Sequence, residues 1–248
     1  MMPLTPTAHV LEMAQHSITG RVRPNNEDYI GWAESKGKAG RRWLFALADG
    51  VGGAADGEVA ARAAVEYLLQ QFVAPAAPGG EEAPRARLGR LVREANHHVF
   101  DLGRGRMATT LVACGIWGSE AVIAHAGDSR CYLVRGGQAR ALTRDHLSRG
   151  RGWRPWRPAS PPRLERALGA DLFLTVAVRR LALEPGDVLA LTSDGLHASV
   201  SAGELAHCLG EGSRLEQAAP TLVALAEERD GSDNISVVLV RVPGATSA

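Results

Sequence analysis

Cysteine is scarce in this chain of 248 residues. The three that occur, Cys114, Cys131 and Cys208, lie in or near apolar runs and show no metal-like spacing, so they read as buried structural thiols of a reducing compartment. Neither sign of charge is in excess: 28 Lys and Arg against 27 Asp and Glu leave a formal charge of +1, which removes any global electrostatic case for nucleic acid. No apolar stretch approaches the ~18–20 residues that a membrane span requires, and the first residues carry no basic region followed by an apolar one. These absences lead to the expectation of a soluble cytoplasmic protein with no membrane and no nucleic acid among its partners. The 45% of hydrophobic residues suits one sizeable core rather than two small ones.

Short runs rich in Val, Ile, Leu, Ala and aromatics, bounded by Gly, Asp or Pro, predict strands at about 10–18, 43–48, 109–117, 120–126, 130–135, 173–178, 187–192 and 234–241. Apolar residues at helical spacing predict helices over about 57–72, 86–101 and 214–228, with a shorter one over 202–209. Two helices between early strands, followed by hairpin-connected strands, indicate an α+β layered fold with mostly antiparallel sheets.

Five aspartates stand inside short glycine- or asparagine-marked motifs: Asp28, Asp49, Asp128, Asp194 and Asp233. Several end strand-like runs, so a sheet scaffold can bring them to one rim. Carboxylates crowded without lysine partners repel one another, and a divalent cation is the ordinary remedy. An oxygen-only donor set favours a hard ion such as Mg²⁺ or Mn²⁺ over zinc. Taken singly, each of these residues reads as a turn or cap aspartate, because Asp bonds its own local backbone.

Residues 74–86, with Pro75, Pro78, Gly79, Gly80 and Pro84, read as a surface loop between two helices. Residues 148–162 hold Pro155, Pro158, Pro161 and Pro162 with Trp153 and Trp156, and Arg140 to Arg166 includes eight arginines. That stretch is either a solvated basic loop or a surface for an anionic substrate or partner.

In chain order, Arg23-Pro24-Asn25-Asn26-Glu27-Asp28, Ala48-Asp49-Gly50-Val51-Gly52-Gly53, Met107-Ala108-Thr109-Thr110, Gly127-Asp128-Ser129-Arg130, Leu142-Thr143-Arg144-Asp145-His146, Ser193-Asp194-Gly195-Leu196 and Asp233-Asn234-Ile235-Ser236-Val237-Val238 resemble the signature of metal-dependent serine/threonine phosphatases of the type 2C family, bacterial branch. The resemblance runs from about Gln15 to Val242 and implies a single catalytic domain over 1–248. It also implies a four-layer αββα sandwich of two antiparallel β-sheets flanked by helices, with a binuclear Mg²⁺ or Mn²⁺ centre at one end. Carried over, it gives Asp49 as the bridge between two tight ions, the Gly50 carbonyl as a ligand, and Asp194 and Asp233 on the first ion. Glu27 and Asp28 serve the second, and Asp128 a third and weaker ion together with Asp194. Arg23 matches the arginine that binds the substrate phosphate, where a forked guanidinium suits phosphate oxygens better than a point charge.

The chain departs from the family pattern in three places. Val51 stands where many eukaryotic members have a histidine proposed as general acid, which leaves that acid unassigned among His125, His146, His197 or a water. Ala108 replaces a usual glycine, for which a local backbone adjustment is expected. Residues 148–162 form a shortened loop where bacterial relatives insert a longer flap bordering the site.

The activity so implied is hydrolysis of phosphoserine and phosphothreonine on proteins by a metal-activated water, opposing a bacterial serine/threonine kinase, in a monomer. The alternative is a weakly catalytic phosphoprotein-binding regulator of a partner-switching or secretion pathway.

Overall fold

A computed structural model describes residues 11–37, 40–51, 56–74, 82–148 and 163–244. Most of the basic, Pro- and Trp-rich stretch discussed above, residues 149–162, therefore lies outside the described residues, as do Gly52 and Gly53.

The strands are β1 (Glu12–Ile18), β2 (Asp28–Gly37), β3 (Gly40–Asp49), β4 (Leu111–Trp117), β5 (Glu120–Ala126), β6 (Arg130–Arg135), β7 (Gln138–Ala141), β8 (Leu147–Ser148), β9 (Arg163–Leu164), β10 (Ala177–Ala182), β11 (Val188–Thr192) and β12 (Ile235–Arg241). The helices are α1 (Gly57–Val73), α2 (Pro84–Gly103), α3 (Asp194–His197), α4 (Ala202–Cys208) and α5 (Leu215–Arg229). One antiparallel sheet has the order β1-β12-β11-β6-β7 and the other β10-β5-β4-β3-β2.

Alternation along the strands assigns each face. On β3, Phe45 and Leu47 join Cys114, Ile123, Cys131, Leu189, Leu191 and Val238 between the sheets. Their neighbours Leu44, Ala46 and Ala48 turn the other way, against Ala64, Leu68, Leu91 and Val92 of α1 and α2. On the second sheet Val188, Ala190 and Val237 face Leu205, Ala219, Leu222 and Val223 of α4 and α5. The result is three stacked cores and four layers, the αββα sandwich. Each fully buried Leu or Phe in them contributes about 1.5–3 kcal/mol. Because the central strands are covered on both faces, they read as continuous apolar runs and not as alternating ones.

Three differences from the sequence reading have physical reasons. Strand β2 went unpredicted because it is an edge strand of mixed polar and small residues; Gly31 there lets Leu69 of α1 approach. The strand expected at 173–178 begins at Ala177 and runs to Ala182, because pairing with β5 sets its register, while Phe173 is 87% exposed. Cys114 and Cys131 are buried free thiols as expected, but Cys208 is only half-buried.

Candidate functional site

The hairpin register places Asp28, the first residue of β2, directly opposite Asp49, the last of β3. On the facing sheet Asp194 follows the end of β11 and opens α3, and Asp233 lies just before β12. Asp128 sits in the connection from β5 to β6. All five aspartates therefore gather at one end of the sandwich, two from one sheet, two from the other and one from the link between them.

Their mutual field is visible in their acidities. Burial, reinforced by Asp194 and Asp233, pushes Asp28 up to about 7. Burial and then Asp28, Asp194, Asp233 and Asp128 hold Asp49 well above the ordinary carboxylate value. Asp128 is raised to about 6 by burial and by Asp194, and Asp194 is raised by burial and by Asp233. Both carboxylate oxygens of Asp28 and Oδ1 of Asp194 are buried without a hydrogen-bond partner. The Ser193 and Ser236 hydroxyls lie close enough to favour charged Asp28, but Ser236 Oγ pairs with Ser17 Oγ at 2.7 Å and Ser193 Oγ accepts the Ser236 amide at 2.9 Å. Orphaned buried oxygens of this kind are costly unless something pairs with them, and a hard cation is the group their chemistry fits. Among the described residues, however, no three His, Cys, Asp or Glu side chains already stand as a closed ion cage.

Arg23 reaches into the same cluster. Its Nη2 donates to Asp233 Oδ2 at 2.8 Å, while Asp233 Oδ1 accepts the Asn234 amide at 2.8 Å. Glu27 is placed by its backbone: its N–H donates to Asn234 Oδ1 at 2.8 Å and its carbonyl accepts from Gly50 N at 3.0 Å. The Glu27 carboxyl lies beside Gly57, at the start of α1. A side chain at Gly50 would meet the Gly57 backbone at 2.4 Å, so only glycine admits this approach. Gly195 is constrained likewise, since a Cβ there would lie 2.2 Å from the Asn234 carbonyl.

Several residues that hold the site had no role in the sequence reading. Asn234, 3% exposed, donates from Nδ2 to the Thr19 and Asn25 carbonyls at 2.8 and 2.9 Å, which ties the Arg23 loop to the Asp233 loop. The Thr109-Thr110 pair grips the backbone of Asp49: Thr109 Oγ1 and Thr110 N donate to its carbonyl at 2.9 and 2.8 Å, and Thr110 Oγ1 accepts its amide at 3.0 Å. Thr110 Oγ1 in turn pairs with Ser129 Oγ at 2.7 Å. Ala108 is accommodated here, its carbonyl accepting the Val51 amide at 3.0 Å. Arg130 donates twice to Asp145, at 2.9 and 2.7 Å, and braces the segment after Asp128. The sequence signal for these residues was their place in the motifs; their partners, up to 215 residues away, were not visible.

The three histidines near the motifs are all neutral near pH 7. Burial lowers His125, whose ring stacks on His146 at 4.6 Å, and lowers His146 to about 4 with the help of His125 and Arg166. Burial lowers His197 to about 3, and its Nδ1 pairs with Thr192 Oγ1 at 3.1 Å. None holds an imidazolium ready to protonate a leaving group.

Comparison with known proteins agrees with this geometry. The family described as Protein phosphatase 2C matches residues 19–228. The serine/threonine phosphatase stp of Listeria innocua is 33% identical over 234 residues, 89% of this chain and 92% of that protein. The solved Streptococcus agalactiae serine/threonine phosphatase superposes with a TM-score of 0.80 at 29% identity, covering 94% of this chain and all of the other. PppA of Pseudomonas aeruginosa, described as a key regulatory component of T6SS, superposes with a TM-score of 0.73 at 30% identity over 93% of this chain and 97% of the other.

Proposed function

The chain belongs to the protein phosphatase 2C family, and on that premise we propose that it removes phosphate from phosphoserine and phosphothreonine on proteins by metal-dependent hydrolysis, as one catalytic domain over 1–248. The observation that carries the metal requirement is the cluster of raised, partly orphaned carboxylates: Asp28 and Asp194 keep buried oxygens that no protein donor satisfies.

In this reading Asp49 and the Gly50 carbonyl would serve both of two tight Mg²⁺ or Mn²⁺ ions, with Asp194 and Asp233 holding one and Glu27 and Asp28 the other, and Asp128 with Asp194 would hold a third and weaker ion. Such ions supply, when bound, an activated water and neutralising charge for the phosphoryl oxygens. The chain's own groups do the rest. Arg23, on an exposed loop at the edge of the cluster, turns its guanidinium from Asp233 to the incoming phosphate and orients it. The Thr109-Thr110 clamp holds the Asp49 backbone while the charge around it changes. With His125, His146 and His197 neutral and engaged, the proton for the leaving alcohol comes from solvent-derived water at the site.

The substrates are phosphorylated proteins, the pathway one that a serine/threonine kinase drives in the cytoplasm, and the acting species a monomer. The test is turnover of a phosphothreonine peptide before and after chelation. Activity is expected to vanish in chelator, to return with Mn²⁺ or Mg²⁺, and to be lost in Asp49→Asn with the fold retained. Full turnover by a verified metal-free preparation would overturn the metal requirement. Tight phosphopeptide binding with negligible turnover at saturating Mn²⁺ would instead favour the regulator, a role consistent with the likeness to PppA.

A further inference from the structure

Strand β3 ends at Asp49, and toward its opposite end a second charged cluster gathers at the mouth of the helix-side core. Arg42 lies two residues before Leu44, on the face of β3 that meets the helices, and pairs across the ladder with Trp117. Arg87 of α2 is 6% exposed. Phe72, near the end of α1, joins the two. The Arg42 and Arg87 guanidinium carbons lie 5.5 and 6.0 Å from the centre of its ring, and Trp117 meets that ring edge-on at 5.7 Å.

These two cations have little to satisfy them. Among the described residues each guanidinium uses a single donor: Arg42 Nη2 bonds Ser35 Oγ at 3.2 Å, and Arg87 Nη2 bonds the Phe72 carbonyl at 3.1 Å. The Nε–H of both is buried and unpaired. Glu82, the acid whose field reaches Arg87, is held by Arg90 at 3.0 Å. The start of α2 adds to the excess, for it has no side-chain cap and no acid in its first turn, and carries Arg85 and Arg87 there instead. Helix dipole and side chains thus have the same sign, and like charges sharing a partly buried place are costly without a counter-charge. The field of Arg42 on Arg87, which together with burial lowers the proton affinity of Arg87, shows that the two feel one another.

We propose that Arg42, Arg87 and the start of α2 form a binding site for a phosphate dianion, separate from the carboxylate rim. Two guanidiniums call for two negative charges, which phosphate supplies and chloride or one carboxylate does not, and their forked donors match its oxygens. Helix α1 sets the separation: it begins at Gly57, packed against Gly50, and runs 17 residues to Val73, or about 25 Å at about 1.5 Å per residue. An ion here is therefore out of reach of the metals proposed above, although phosphate is also the product of the reaction proposed there. With Arg87 almost fully covered, the approach suits the free ion better than an ester and its chain.

The experiment titrates inorganic phosphate into the full chain in chelator, so that no metal at the carboxylates can hold the ion, against chloride at equal ionic strength. Phosphate at about 100 times its dissociation constant is expected to raise the melting temperature by about 5 °C or more over chloride. Calorimetry is expected to show one site per chain, weakened about tenfold or more in Arg42→Gln and in Arg87→Gln and unchanged in Arg23→Ala. Arg42 is only half-buried, so Arg42→Gln carries the test if Arg87→Gln does not fold. Its turnover of p-nitrophenyl phosphate with Mn²⁺ should stay within about twofold of wild type. Phenyl phosphate is expected to bind more weakly than the free ion. No stabilisation beyond chloride, affinity that survives Arg42→Gln, loss of binding in Arg23→Ala, or equal binding of phenyl phosphate would overturn the proposal.

Discussion

Arg23 donates a 2.8 Å hydrogen bond to Asp233, so the one side chain expected to hold substrate phosphate rests on a carboxylate expected to hold an ion. The pair is about one-third exposed on each side, and such ion pairs are worth little in themselves. Arg23 can therefore leave Asp233 at small cost.

Its removal separates two roles. Arg23→Ala is expected to raise KM for p-nitrophenyl phosphate by about tenfold or more, the value of a charge-assisted contact. Mn²⁺ affinity measured by titration calorimetry should stay equal or tighten, because Asp233 loses a competitor. A weaker ion site in Arg23→Ala would show that the arginine organises the metal ligands instead.

The raised acidities set a pH dependence for the metal-free protein. Asp28 moves from an ordinary 3.8 to about 7 in the folded state, so the folded state holds its proton more tightly than the unfolded one. The stabilisation from that proton is full below the unfolded value and is lost as pH rises through about 7. In chelator the melting temperature should fall by about 5 °C or more between pH 5 and 7.5, at ~2–4 °C per kcal/mol for a chain of this size. Added Mn²⁺ should remove the slope, and Asp28→Asn should reduce it in chelator, the remainder coming from Asp49, Asp128 and Asp194, which are raised as well. A flat or rising curve in chelator counts against the strained carboxylate cluster.

Asn234 joins loops that lie more than 200 residues apart through three hydrogen bonds. Asn234→Ala leaves two carbonyls and an amide without their partner, at a cost of about 2–4 kcal/mol in urea unfolding. Activity should fall in parallel, since Glu27 and Arg23 lose their anchor. A variant as stable as wild type would assign the loop geometry to other contacts.

Much of this was legible in the sequence, for identifiable reasons. β5 and β6 were bounded correctly because both are short apolar runs flanked by Gly or charged residues. α1, α2 and α5 showed helical spacing of residues that do line the cores. The edges were harder: β2 mixes Gly, Glu, Ser and Lys, and the apolar run at 173–178 continues into a strand whose exposed Arg179 and Arg180 hide its pattern. The aspartates announced themselves by their motifs, and the structure brings them to one rim. What holds them did not show, because Asn234, Thr110 and Ser236 act on partners fixed only by the docking of two sheets.

That docking gives the rim a place in time as well as in space. Asp28 and Asp49 pair within one hairpin, a local event, but Asp194 and Asp233 meet them only after the second sheet has closed on the first. Contacts between segments so distant carry a large loop-closure cost and form late. An ion that needed all four carboxylates would find them together only in the closed sandwich, and its expected kinetic mark is then slower unfolding in added Mn²⁺ at an unchanged folding rate.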